Sequence, residues 1–381
     1  MVQGGVLRRV PAVFMRGGTS KALMFHTRDL PADRDGWDGI FLSAMGSPDP
    51  YGRQLNGMGG GISSLSKACI LAPSKRTDAD VDYTFAQVLI KEARVDYNGN
   101  CGNMSSAVGP FAIDERIVCA PDGETTVRIF NTNTRKMIHS TFRVQGGRAV
   151  ADGEFEIPGV TGKGAPIQLD FLKPDGATTG KLLPTGNVVD ILNVAGMGRV
   201  EVSMIDAANA CAFVSADRLG LAGTEMPEEL DHNTEILEKI AAIRSHASVA
   251  MGITRSLEEA RANTHIPFIG FVSAPQDART LSGERLSATE VDLTVRVIAN
   301  GHTATAIPGT ALLCTAVAAR IEGTTVFQAA RKITGERFRL ATPSGVLAVA
   351  ADVRREDGNW HAAHGSFIRT ARRLFEGFVY A

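Results

Sequence analysis

Two residues have the type and setting to move protons. Cys101 stands in Asn98-Gly99-Asn100-Cys101-Gly102-Asn103, a cluster that exposes the thiol and surrounds it with hydrogen-bond donors. A cysteine there can act as general acid or base on carbon, whereas Cys69, Cys119, Cys211 and Cys314 sit in apolar or ordinary runs that suit small core residues. Lys67 follows a second cluster, Asn56-Gly57-Met58-Gly59-Gly60-Gly61 with Ser63, Ser64 and Ser66, and directly precedes the apolar run Ala68-Cys69-Ile70-Leu71. A lysine at the mouth of a buried strand loses solvation, which lowers its pKa and makes its neutral amine available as a base. A third cluster, Arg16-Gly17-Gly18-Thr19-Ser20-Lys21, adds two cations able to pair with a carboxylate.

Glycine supplies 40 of the 381 residues, and many of them lie in these clusters. Because glycine permits positive φ and close backbone approach, successive N–H groups can converge on one anion. The expected ligand is therefore a small carboxylate or phosphate. Phosphate-loop, dinucleotide-binding and G-x-S-x-G spacings are missing, and no cysteine or histidine falls in a C-x-x-C, H-x-x-x-H or H-E-x-x-H spacing. Proton transfer with no metal and no other cofactor is the economical expectation. The balance of 40 Lys and Arg against 41 Asp and Glu argues against a nucleic-acid partner and against a polybasic membrane-surface protein.

Few cysteines and no apolar signal stretch behind Arg8 and Arg9 point to a cytoplasmic protein without disulfides. The uncharged stretch between Arg296 and Arg320 contains Asn300, Gly301, His302, Thr303, Thr305, Pro308, Gly309 and Thr310, too polar for a bilayer core. It reads as a buried strand, a turn and a buried helix, so no membrane partner is expected. A homo-oligomer is left open, since neither a coiled coil nor an interface stripe is visible.

The elements that must position these residues are mostly short β runs in the first half: Ala12 to Met15, Ala22 to His26, Ala68 to Leu71, Asp82 to Ile90 and Thr126 to Phe130. Helices are expected at Asp35 to Met45, Met104 to Asp114 and Asn233 to Met251, the last with Ile236, Leu237, Ile240 and Ile243 at helical spacing. The chain also resembles itself. Met15 to Leu30 aligns without a gap on Met204 to Leu219, and Val81-Asp82-Tyr83-Thr84 on Val291-Asp292-Leu293-Thr294. Each of the latter precedes a turn and a small-residue helix, one entered at Cys101 and the other at Gly309-Thr310, so Cys101 is matched with Thr310. Two copies of one α/β unit follow, in a chain whose length suits two domains.

Several stretches together are similar to the PrpF family of isomerases: Pro11 to Lys21, Met45 to Gly52, Asn56 to Leu71, Asp80 to Tyr83, Asn100 to Asp114, Pro184 to Asp190 and Leu374 to Val379. The resemblance implies a diaminopimelate-epimerase-like α/β (α+β) fold, two pseudo-symmetric lobes each with a mixed sheet around a central helix, at residues 1–184 and 185–381. It further implies an active site between the lobes and a small unsaturated polycarboxylate substrate, such as 2-methylaconitate or 4-oxalomesaconate. Lys67 would be the base and Cys101 the acid of an allylic isomerisation. Substrate binding would fall to Arg16, Gly17, Thr19 and Ser20, to Gly59, Gly60, Gly61, Ser64 and Ser66, to Asn100, Gly102 and Asn103, and to Gly309 and Thr310. Related racemases use a cysteine from each lobe; threonine at the second position disfavours that chemistry here. An amino-acid racemase or epimerase and a non-catalytic carboxylate-binding protein are the alternatives. Where family members acting on 2-methylaconitate read GGATSSTSK, this chain has Ile62 and Leu65, which make the loop more apolar.

Overall fold

The computed structural model describes residues 8–299, 301–333 and 335–381; residues 1–7, most of the stretch read for a targeting signal, and Asn300 lie outside them. The chain forms two compact units. The first holds the described residues up to Glu156 with Gly162–Leu169 and Arg369–Ala381, and the second holds Ile157–Thr161 and Asp170–Ile368. The sequence expectation places one cut after residue 184, whereas these units interleave along the chain. No described helix is long and apolar enough to cross a membrane.

In the first unit the order is β1 (Arg9–Gly17), β2 (Ser20–His26), α1 (Asp35–Met45), β3 (Lys67–Pro73), β4 (Val81–Val88), α2 (Gly102–Asp114), β5 (Gly123–Asn131) and β6 (Lys136–Gln145). Strand β1 pairs antiparallel with β2, β2 parallel with β3, β3 antiparallel with β4, β4 parallel with β5, and β5 antiparallel with β6. The C-terminal strand Ala371–Tyr380 adds antiparallel to the outside of β1. Because side chains alternate across a strand, the sheet presents two apolar faces. Phe14, Leu23, Phe25, Ala68, Ile70, Ala86 and Val88 pack with Trp37, Ile40, Phe41 and Met45 of α1. The opposite face receives α2, in which every residue from Gly102 to Ile113 is buried.

The second unit repeats this path with β7 (Gly198–Ala207), β8 (Asn209–Ser215), α3 (Thr234–Ala250), β9 (Phe268–Ser273), β10 (Leu293–Ala299), α4 (Gly309–Ala318), β11 (Arg337–Thr342) and β12 (Gly345–Glu356). The pairings run antiparallel, parallel, antiparallel, parallel, antiparallel in the same order, and Asp190–Val194 flanks β7 as the C-terminal strand flanks β1. Ile236, Ile240, Ile243 and Ala247 of α3 fill the face built by Met204, Ala212, Ile269 and Phe271. The duplication read from sequence is thus a duplication of topology.

Two of its correspondences shift in the structure. The carboxylate of Asp80 accepts from the backbone N–H (2.7 Å) and the guanidinium of Arg128 on β5, and Asp292 accepts from the N–H (2.8 Å) and guanidinium of Arg339 on β11. The counterpart of Asp292 is therefore Asp80, two residues before the aligned Asp82, a slip that keeps every side chain on its face. The helices also begin earlier than expected, at Gly102 and Gly309, so their caps are Cys101 and Pro308. Thr310 corresponds to Asn103, not to Cys101: Asn103 donates to Thr19 Oγ1 (2.9 Å) across the first unit's hairpin turn, and Thr310 Oγ1 accepts from Asn209 (3.1 Å) across the second's.

Gly57 and Gly39 test this packing in opposite directions. A Cβ on Gly57 would lie 2.2 Å from the backbone nitrogen of Gly46, while one on Gly39, exposed in α1, would meet nothing. Urea denaturation should show Gly57→Ala destabilised by about 1–3 kcal/mol or more and Gly39→Ala stabilised by about 0.5–1 kcal/mol.

Candidate active site

The candidate residues of the first unit gather around the start of α2. Cys101 caps this helix: its backbone is extended (φ −104°, ψ 97°) and its Sγ accepts the Met104 N–H at 3.5 Å, the place usually held by a serine or aspartate oxygen. The thiol is partly exposed. It sits at the helix N-terminus, where the Gly102 and Asn103 amides have no intrahelical acceptor and the helix dipole favours an anion. Beneath it, Ser105 Oγ donates to Cys101 O (3.1 Å), and Asn131 Nδ2 donates to the buried Asn100 (3.3 Å), which fixes the entry into the helix.

Lys67 is the first residue of β3 and is 7% exposed. Register explains its surroundings. Lys67, Cys69 and Leu71 lie opposite Gln87, Phe85 and Tyr83 on β4, on the face that receives α2. The amine donates to Gln87 Oε1 and lies 5.1 Å from the centre of the Phe85 ring. Burial pushes its pKa below the ordinary 10.5, against a smaller opposing pull from Cys101 and Cys69. Cys101 caps the helix that packs on this same face of the sheet. Behind Lys67, Cys69 Sγ and Tyr83 OH contact each other at 3.7 Å, and burial raises the pKa of both.

The turn between β1 and β2 rests on the first turn of α2. A Cβ on Gly17 would come within 2.7 Å of Asn103 O, so only glycine allows this approach, and Gly18 adopts φ +53°. Arg16 directs Nη1 to the backbone oxygens of Gly18 and Thr370 (both 2.9 Å), bracing the turn; Ser20 is buried beside it. Asn103 accepts from the buried Arg369 (3.0 Å) while donating to Thr19, so its amide orientation is fixed from both sides. Burial lowers the Arg369 pKa to about 10.

The loop carrying Gly59, Gly60 and Gly61 is organised by Gln54, a residue with no exposed surface. Its Nε2 donates to Ser47 Oγ (2.8 Å) and Ser66 Oγ (2.7 Å), and its Oε1 accepts the Gly61 N–H (3.0 Å). A Cβ on Gly59 would fall 2.2 Å from that Oε1. Ser66 is fully buried and donates to Val88 O (2.9 Å), which makes it a brace for the loop, while Ser64 stays partly exposed in the single turn Ser63–Leu65. Gly309 and Thr310 stand at the start of α4 in the second unit, and Cys314 on that helix is buried with its thiol toward Ile205 O (3.5 Å).

Sequence reading misses Gln54, Gln87 and Arg369. Gln87 is open to detection, because it is the one amide in the alternating series Val81, Tyr83, Phe85, Gln87; the other two carry no local signal.

Residues 7–381 match the family model described as PrpF protein. The chain belongs to the PrpF family. It is 44% identical to the 3-methylitaconate isomerase of Eubacterium barkeri over 98% of this chain and 97% of that protein. It is 40% identical to the 2-methyl-aconitate isomerase of Shewanella oneidensis over 97% and 96%. Among solved structures, methylitaconate-delta-isomerase superposes on this PrpF-family chain with a TM-score of 0.81 at 43% identity, covering 99% of this chain and 96% of the other. A hydroxyproline epimerase from Agrobacterium vitis shares the fold at a TM-score of 0.59 and 11% identity, covering 98% and 93%. The expected α/β epimerase-like fold is therefore that of this family member.

The buried amine makes stability depend on pH. With a folded-state pKa below the unfolded 10.5, the unfolded chain binds more protons between the two values, so stability rises with pH in that window, by up to about 1.4 kcal/mol per unit. Lys67→Met removes the effect. Its stability relative to the parent should decline as pH is raised toward 10.5 in urea titrations; a gap that stays constant contradicts a depressed Lys67.

Proposed function

We propose that this chain is a cytoplasmic, cofactor-independent allylic isomerase of an unsaturated di- or tricarboxylate, with Lys67 as base and Cys101 as acid. The observation that carries the reading is a buried lysine amine on the sheet face covered by α2, the helix that a partly exposed thiol caps. The isomerase names of relatives aligned along nearly the whole chain support the reaction class.

Neutral Lys67 takes a proton from a carbon next to a C=C bond conjugated with a carboxylate or keto group. The electron pair delocalises as a dienolate, which is why such a carbon is acidic. Cys101 delivers its proton two carbons away, and the double bond shifts. The ammonium and thiolate left behind neutralise each other when the proton passes from Lys67 to Cys101, restoring both. Backbone amides of Gly60 and of Gly102 and Asn103 at the start of α2 hold the carboxylates and the developing enolate charge.

Racemisation by two thiols is disfavoured by Pro308, which stands in the second unit where Cys101 stands in the first. A proline offers no proton to either face of a carbon.

Incubation in deuterated water with 3-methylitaconate, 2-methylaconitate and 4-oxalomesaconate, followed by proton NMR, should show double-bond migration with solvent deuterium entering at least one of the three. Lys67→Met should lower the rate by about 10²–10⁴-fold, the usual share of a general base. Full activity in that variant would sink the assignment of Lys67, and exchange of no carbon-bound proton in any substrate would favour a binding protein instead.

A further inference from the structure

Among the described residues, Gln87 both touches the Lys67 amine and is itself tied to the glycine-rich loop. It stands directly opposite Lys67 in the β3–β4 ladder. Its Nε2 donates to two backbone oxygens, Ser63 O (3.1 Å) and Ser66 O (2.9 Å), both in the segment that joins the glycine cluster to Lys67. With both amide hydrogens committed, the flipped orientation would set a carbonyl oxygen against two others. Oε1 is therefore held toward Lys67 and accepts from its amine.

We propose that Gln87 is a positioning residue of the isomerisation, a neutral clamp that fixes the direction of the Lys67 lone pair and links the base to the substrate-binding loop. The inference rests on Lys67 being the base.

The residue type matters as much as the contact. A tetrahedral amine that gives one N–H to Gln87 and has the Phe85 ring beside it loses most of its rotational freedom. Yet a neutral amide oxygen does not favour the ammonium as a carboxylate would, so the amine is held without being driven to its charged state. The other titratable groups around the amine are Cys101 from α2, Cys69 beside it on β3, Tyr83 in contact with Cys69 on β4, and the buried Asp96, which stands opposite Gln87 on the far side of β4 and accepts from the Asn98 N–H (2.7 Å). Among the described residues no carboxylate contacts the amine, and Gln87→Glu would introduce one against it.

The test compares Gln87→Glu and Gln87→Met with the parent and with Lys67→Met, using whichever of 3-methylitaconate, 2-methylaconitate or 4-oxalomesaconate the parent converts fastest. The pH dependence of kcat and kcat/KM is the readout. Gln87→Glu is close to isosteric and should move the acid limb of both profiles upward by about one pH unit or more, so that a loss of about tenfold at neutral pH is regained at alkaline pH. Gln87→Met, which removes the clamp without adding charge, should lower kcat by about 10- to 100-fold with KM changed less than about threefold. If Lys67→Met is inactive while both Gln87 variants keep the parental acid limb and kcat, the positioning role is overturned and the base assignment stands. Parental activity in Lys67→Met overturns both.

Discussion

Removal of one lysine amine from water is the constraint around which the first unit is arranged. Among the described residues no carboxylate pairs with that amine, and burial shifts its equilibrium toward the neutral form. The sheet register then decides what the amine meets. Pairing of Lys67 with Gln87, Cys69 with Phe85 and Leu71 with Tyr83 lines its surroundings with one amide, two aromatic rings and a thiol. The helix that covers this face is capped by Cys101. Glycines at positions 17 and 59 permit two close approaches, of the β1–β2 turn to α2 and of the loop to Gln54. Remove the burial, and the same residues form an ordinary surface turn.

Duplication supplied the frame, and the two copies diverged in chemistry at single positions. Both units run their strands in the same pairing order and place a buried helix on the sheet face opposite the amphipathic one. Both tie that helix to the hairpin turn by one hydrogen bond, with donor and acceptor exchanged between Asn103–Thr19 and Asn209–Thr310. At the cap, however, one unit has Cys101 and the other Pro308. A thiol carries an exchangeable proton and a proline ring does not. Strand β3 opens on Lys67 and its counterpart β9 on Phe268, so the lysine too belongs to one copy. That asymmetry suits a reaction in which the two proton transfers occur at different carbons.

Much of this arrangement is legible in the sequence, because the signals are local. Helix α1 begins and ends where the sequence pattern places it, at Asp35 and Met45, and Ile236, Ile240 and Ile243 face the core as their spacing requires. The repeat is visible in two short alignments. Register within the repeat is not: the pair Asp82 and Asp292 looks equivalent because Asp80-Val81-Asp82 contains the same residue twice, two apart, on one face of the strand. Only the bonds to Arg128 and Arg339 distinguish them. The helix caps escape for a related reason, since glycine is a weak helix former and Gly102 and Gly309 read as turn residues. Arg369 reaches Asn103 from near the C-terminus, and Gln54 meets Ser47, Gly61 and Ser66 through the irregular path of the loop between them. No local pattern encodes such contacts.

The ionisation of Lys67 in the resting protein is the quantity on which the account turns. A pH titration of lysine Nζ resonances in protein labelled with 15N-lysine, with the Lys67 signal assigned by its absence from Lys67→Met, measures it without a substrate. This signal is expected to titrate below the 10.5 of an ordinary lysine, apart from solvent-exposed lysines. A Lys67 signal that titrates with the exposed group at about 10.4 would contradict the neutral base, and with it the proposed division of labour with Cys101.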